Sequence, residues 1–152
     1  MSQTLNPFEK LLVDLVQANI EFITVGGIAC AFNGYVRTTE DVDIIIKRDL
    51  ENVRKLIRFL SSYGEGYGAE LKEEDFKDEE GAVRIIEEFP IDVFTVMAGK
   101  HFEDLERSKN LFEIEGVKIP YLKREALIEL KQDSLREKDK MDVIQLKSLT
   151  KK

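Results

Sequence analysis

VGGIACAFNGYVRTTEDVDIII, residues 25–46, carries two signals at a fixed interval: a glycine pair near its head and an Asp-x-Asp pair opening a β-branched run. Val42, Ile44, Ile45 and Ile46 favour an extended chain, and the run is too short for a buried helix, so it reads as a central strand. Successive side chains on a strand face opposite ways, which puts Asp41 and Asp43 on one side and Val42 on the other. Neighbouring carboxylates repel, and one is pushed toward its protonated form unless a cation lies between them. A hard divalent ion with oxygen ligands, Mg²⁺ or Mn²⁺, suits that donor set. A third carboxylate, Asp92, sits in the apolar run Ile91-Asp92-Val93. Each Asp taken singly also reads as the polar start of a strand with a backbone partner; burying all three uncompensated is expensive.

Immediately upstream, Phe22, Ile23 and Val25 form a short buried strand that stops at Gly26-Gly27. Residues 28–32 read as a short helix closed by Asn33-Gly34. Glycines at such a junction let the backbone approach a ligand, and a helix start offers unpaired N–H groups to phosphate. A glycine pair is equally a plain turn, but thirteen residues separate Gly27 from Asp41. The order of strand, glycine pair, helix, Asp-x-Asp strand and acidic strand brings a phosphate cradle and a metal site to one cleft.

Farther out, Asn6-Pro7 followed by Glu9 predicts a capped helix over about 7 to 18, with Phe8, Leu11, Leu12, Leu15 and Val16 as its apolar stripe. Asp49 caps a helix with Leu50, Val53, Ile57 and Leu60 on one face, closed by the glycine-bearing stretch Ser61 to Gly68. The six acids between Glu73 and Glu80 read as an exposed segment rather than metal ligands. Val83 to Glu87 and Ile91 to Val96 read as strands, the second ended by Ala98-Gly99, and Phe102 to Arg107 as a short helix. Leu111 to Glu115 and Val117 to Ile119 make a small hairpin about Gly116, and residues 123–134 and Met141 to Leu149 make closing helices. His101, the single histidine, reads as a surface residue, and Cys30 as a packed residue rather than a nucleophile. The expected class is α/β (α+β): a small mixed sheet of roughly five strands, helices largely on one side, and the closing helices bordering the cleft.

Bulk properties narrow the function classes. The 152 residues suit a single domain over 1–152, and 43% apolar content supplies a core. With 23 basic against 30 acidic residues the net charge is −7, which argues against holding duplex DNA by phosphate neutralisation. No apolar run approaches a bilayer span, and Met1 to Asn6 lacks the basic start and apolar block of a secretion signal, so the expected location is cytoplasmic, with no membrane partner. A single cysteine allows neither an internal disulfide nor a multi-cysteine metal site.

Taken together, Val25-Gly26-Gly27, the thirteen-residue interval, Asp41-Val42-Asp43-Ile44 and Ile91-Asp92-Val93 resemble the signature of the polymerase β-like nucleotidyltransferase superfamily. The resemblance covers the chain from about Phe22 to Leu149. Arg37-Thr38-Thr39-Glu40-Asp41-Val42-Asp43 is similar to the Arg-x-Thr-x-Asp-x-Asp of small bacterial and archaeal nucleotidyltransferases, including the abortive-infection toxin type. Lys131, Lys138-Asp139 and Asp142 are similar to a lysine and Lys-Asp-x-x-Asp pattern of the same group, in which a serine often stands where this chain has Lys123.

The resemblance implies a nucleotidyltransferase fold and a metal-dependent enzyme that moves a nucleoside monophosphate from an NTP, ATP among them, to a hydroxyl on RNA or protein. By the same resemblance Gly26 and Gly27 contact the NTP and Asp41 and Asp43 bind Mg²⁺ or Mn²⁺. Asp92 completes the metal site and helps take the proton from the acceptor hydroxyl. Arg37 reads either as a phosphate contact or as a counter-charge to the acidic cluster, and Lys131 either as a phosphate contact or as a solvated helix residue. Asp139 and Asp142 belong to the terminal pattern or, for a helix beginning near 139, are its N-cap and a favourable first-turn charge. The alternative function is an antitoxin-type partner protein of the same fold, weakly enzymatic or not at all, bound to a toxin. No additional domain for gripping an acceptor is recognisable.

Overall fold

The computed structural model describes residues 5–149. The first four residues of the stretch examined for a secretion signal, and the last three of the 1–152 domain, lie outside the described residues. The chain runs α1 (Pro7–Gln17), β1 (Phe22–Val25), α2 (Gly26–Phe32), β2 (Val42–Ile46), α3 (Leu50–Ser61), β3 (Ala82–Ile86), β4 (Pro90–Phe94), β5 (Val96–Met97), β6 (Lys100–His101), α4 (Phe102–Leu105), β7 (Lys109–Ile114), β8 (Val117–Leu122), α5 (Arg124–Lys131) and α6 (Glu137–Ser148). Local sequence explains the starts. Asn6 accepts from the Glu9 N–H while the Glu9 carboxylate takes the Asn6 N–H, a capping box, and Asp49 accepts from Asn52 N–H at the head of α3.

Six strands form one mixed sheet in the order β3-β4-β2-β1-β8-β7, and β5 and β6 pair separately. The terminal hairpin is longer than its apolar run and joins the main sheet through β8 beside β1, which gives six strands where roughly five were expected. Helices cover both faces rather than largely one. The cause is β2: Val42, Ile44 and Ile46 pack with Leu11, Leu12 and Leu15 of α1 and Val53, Leu56 and Leu60 of α3. Ile45, with Ile23 and Val25, packs on the other face with Phe102 and Leu105 of α4, Ala126 and Leu127 of α5 and Leu146 of α6. A strand apolar on both faces needs cover on both.

Several boundaries differ from the pattern reading. The strand expected over Ile91 to Val96 stops at Phe94, and the following residues turn back at Ala98 (φ 50°) and Gly99 (φ 77°). The Glu80 carboxylate accepts both of that turn's N–H groups, at 3.0 and 2.8 Å, so the acidic segment, though exposed, pins the β5–β6 hairpin. Leu50 is exposed, at the edge of the face, about 60–120° of helical rotation from the buried Val53, Leu56 and Leu60. α5 ends at Lys131 and α6 begins at Glu137 with Arg136 in the cap position, so Asp139 is not the cap. Its carboxylate is already held by Lys131 and Ser134. Among the described residues no helix is long and apolar enough to cross a membrane.

One buried amide holds the end of the sheet opposite the carboxylates. Asn52, 2% exposed in the first turn of α3, accepts from Glu21 N–H at 2.8 Å and donates to the carbonyls of Glu21 at 2.9 Å and Lys47 at 2.7 Å. It thereby ties the start of β1 to the end of β2 and helps hold Val25 opposite Asp43. Asn52→Leu removes all three bonds and is expected to cost about 2–4 kcal/mol in urea unfolding. A loss below about 1 kcal/mol would show that the strand pair needs no such tie.

Candidate active site

Strand register builds the site. Across adjacent strands Val25 pairs with Asp43, Asp43 with Asp92, and Asp92 with Arg84. Residues in register project to the same face, so the two carboxylates and the guanidinium form a row, and Asp41, two residues before Asp43, joins it. One carboxylate oxygen from each of Asp41, Asp43 and Asp92 lies within 4.8 Å of the others. Burial, followed by the charges of Asp41 and Asp92, pushes the Asp43 carboxyl up to about 7. Three clustered oxygen donors with that demand for positive charge match a hard divalent ion, Mg²⁺ or Mn²⁺.

The backbone leaves this row little freedom. Gly26 has φ +69°, and a Cβ there would overlap the Asp43 carboxylate, so glycine is required both by conformation and by space. Gly27 behaves differently. A Cβ on it would meet Thr39 Oγ1 at 2.6 Å and an Arg37 nitrogen at 2.9 Å, so the Arg37–Thr39 segment covers it. Of the pair, Gly26 lines the cavity and Gly27 does not.

A second ionic cluster forms the opposite wall. Asp142, fully buried on α6, receives Arg37 Nε at 2.7 Å and a second Arg37 nitrogen at 2.9 Å, together with Lys131 Nζ at 2.8 Å. Lys131 also donates to Asp139 at 3.1 Å, and Ser134 Oγ donates to the other Asp139 oxygen at 2.8 Å. Burial lowers the Arg37 and Lys131 pKa values, but Asp142 outweighs it and holds both above their ordinary values. For Asp139, burial is outweighed by Ser134 and Lys131, and its carboxyl sits below the usual range. Arg37 is therefore a counter-charge to Asp142, which the sequence alone did not connect to it, and Lys131 is no solvated helix residue, being 13% exposed. Cys30 is fully buried, and desolvation and then Asp142 push its thiol up to about 11, as befits a packed residue. His101 bonds Asp78 at 2.6 Å, away from the carboxylate row.

Between the two clusters lies a cavity of about 220 Å³. Asp41, Asp43, Asp92 and Asp139 line it, as do Arg37, Arg84, Lys131, Arg136 and Lys138, so cations outnumber carboxylates five to four there. Sequence reasoning missed two charged lining residues, Arg136 and, within the carboxylate row, Arg84. It donates Nε to Asp92 Oδ1 at 2.7 Å and a second nitrogen to Oδ2 at 2.9 Å, and lies 3.7 Å from Asp41. Its only signal is a charge inside the run Val83-Arg84-Ile85, and the β3–β4 register is needed to give that charge a partner.

No protein-family model matches the sequence, and no curated protein matches it. Among solved structures the chain is similar to a candidate nucleotidyltransferase from Thermotoga maritima, at 18% identity over 90% of this chain and 87% of that one, TM-score 0.59. It is similar to the lincosamide antibiotic adenylyltransferase LnuA bound to lincomycin, at 18% identity over 93% and 94%, TM-score 0.65. An antigenic nucleotidyltransferase-like protein from Paracoccidioides brasiliensis matches at 20% identity over 90% and 72%, TM-score 0.50. At these identities the likeness is one of fold: this chain has the nucleotidyltransferase fold.

Between pH 3.8 and about 7 the folded chain keeps the Asp43 proton that the unfolded chain loses, so this group's contribution falls as pH rises through that window. Asp43→Asn is therefore expected to exceed the wild type by about 2 kcal/mol in EDTA at pH 8 and to match it near pH 4; equal stability at both pH values would contradict the assigned cause. Asp142→Ala strands Arg37 and Lys131 without their shared anion and is expected to cost about 3–5 kcal/mol in thermal or urea unfolding. A near-neutral result would mean that the two cations find water as readily as a carboxylate.

Proposed function

We propose that this protein is a divalent-metal-dependent nucleotidyltransferase that moves a nucleoside monophosphate from an NTP to an acceptor hydroxyl. The observation that carries this reading is the convergence of Asp41, Asp43 and Asp92 within 4.8 Å, beside Gly26 and under a cation-lined cavity, in a chain of nucleotidyltransferase fold. Asp41, Asp43 and Asp92 hold the ion, which when bound supplies charge neutralisation at the attacking and leaving oxygens of the displacement.

The remaining work belongs to the chain. Gly26, lacking a side chain, lets the triphosphate approach the end of β1, and Arg37 and Lys131 give the facing wall positive charge. The acceptor oxygen attacks the α-phosphorus, Asp92 takes the hydroxyl proton, and the bond to the leaving pyrophosphate breaks. Asp142 keeps Arg37 and Lys131 protonated and fixed in place, so they meet the phosphates as positioned donors rather than through an unopposed field. ATP is the first nucleotide to offer, since LnuA is an adenylyltransferase. The acceptor is RNA or protein, and the lincosamide acted on by LnuA adds small hydroxylated molecules to the set.

The test is transfer of α-³²P-labelled NTP in Mg²⁺ or Mn²⁺ to total RNA, lysate proteins and a panel of hydroxylated small molecules. Label is expected on one acceptor class with the wild type, and Asp41→Asn or Asp43→Asn is expected to lower the rate at least about a thousandfold, some 4 kcal/mol of barrier, while remaining folded. Full activity in either variant overturns the proposal. Nucleotide binding without transfer to any acceptor would instead support the antitoxin-type partner reading.

A further inference from the structure

β3 is an edge strand of the sheet, and Arg84 in its middle is half-exposed, in register with buried Asp92 on β4. Its guanidinium occupies both oxygens of Asp92, at 2.7 and 2.9 Å, and reaches to 3.7 Å from Asp41. The other ion-paired cations of the cavity wall spend their charge elsewhere: Arg37 on Asp142, Lys131 on Asp139 and Asp142, and Arg136 on Asp139. Arg84 is thus the cation paired to the proposed metal-ligand set itself. Held there, it competes with a divalent ion for Asp92 and repels it. A guanidinium fork fits phosphate oxygens as well as carboxylate oxygens, and an edge-strand side chain that is half in solvent turns without unpacking the core.

Building on the nucleotidyltransferase reading, we propose that Arg84 is the resident counter-ion of the Asp41–Asp43–Asp92 cluster and exchanges partners on loading, yielding Asp92 to the divalent cation and turning its fork to the phosphates of the NTP. Cation and nucleotide then bind cooperatively, because each removes the obstacle the other meets. By linkage, the factor by which nucleotide tightens the cation equals the factor by which the cation tightens nucleotide. Arg84 is a specificity device as well: a cation arriving without a polyphosphate leaves the guanidinium with no anion to take.

The test is calorimetric titration with Mn²⁺, alone and with an α,β-methylene analogue of ATP, of the wild type, Arg84→Gln, Arg84→Lys and Asp43→Asn. The Gln variant keeps a polar contact to Asp92 without the charge, and thermal melts confirm that each variant is folded. Arg84→Gln is expected to bind Mn²⁺ alone about tenfold more tightly than the wild type and to lose most of the coupling to nucleotide. Arg84→Lys keeps the charge without the fork, and is expected to bind Mn²⁺ alone like the wild type while also losing coupling. Unchanged or weaker Mn²⁺ binding in Arg84→Gln overturns the exchange and leaves Arg84 as a support for Asp92. A wild type without Mn²⁺ binding that Asp43→Asn removes overturns the metal-site reading, and the exchange with it. The two failures are therefore told apart by the wild-type titration.

Discussion

Like charge gathered on a covered sheet face is the constraint around which this molecule is arranged. Asp43 and Asp92 cannot move apart, because β2 and β4 are paired from Val42–Ile91 to Ile45–Phe94 and the ladder sets their spacing. Nor can the strands slip by one residue to relieve them. Val42 and Ile44, with Ile91 and Val93, occupy the opposite face, and a one-residue shift would turn Asp43 or Asp92 into that apolar core. The hydrophobic alternation that buries one face therefore holds the repulsion on the other. Proton uptake by Asp43 and the fork of Arg84 are the relief available from within the chain.

The Asp142 cluster solves a different problem. α6 buries only Asp142 and Leu146 and leaves Met141 and Ile144 largely exposed, so it has no broad apolar stripe with which to dock. Ionic bonds supply what packing does not: Arg37 crosses from the loop before β2, Lys131 from α5, and both meet the same carboxylate. Apolar residues could fill such a place at equal or better stability. What the ionic arrangement contributes is two fixed cations at the wall of the cavity, with their geometry set from behind.

The elements that build the site were legible in the sequence because each has a local cause. The Asn6–Glu9 capping box, the β-branched run after Asp41, the glycine junction at Gly26 and the turn at Gly116 all act within a few residues. Asp41, Asp43 and Asp92 were legible as a set because carboxylates in apolar strands demand an explanation. Arg84 and the link between Arg37 and Asp142 were not, since they depend on β3 lying beside β4 and on α6 closing over the loop, contacts that no periodicity encodes. The start of α6 was misplaced for a related reason: Asp139 looks like a cap until Lys131 and Ser134 claim its carboxylate. The two-sided cover of the sheet was hidden because a run such as Ile44-Ile45-Ile46 shows that both faces are apolar without saying which helix covers each.

Charge illustrates how a sum can mislead about a site. The chain carries −7 overall, yet among the described residues the cavity lining holds five cations to four carboxylates, and Asp142 behind Arg37 and Lys131 brings the local balance to even. Surface charges farther than about 8–10 Å are largely screened at physiological salt, so a triphosphate entering the cavity meets the local balance and not the total. The outer surface still matters for anything larger than the cavity. The exposed acids of residues 73–80 and the remaining negative surface oppose a long polyanion while leaving a neutral acceptor unaffected. Within the proposed reaction this separates the two substrates physically. As proposed, the nucleotide meets the charges of the cavity wall, while the acidic exterior bears only on an acceptor larger than the cavity.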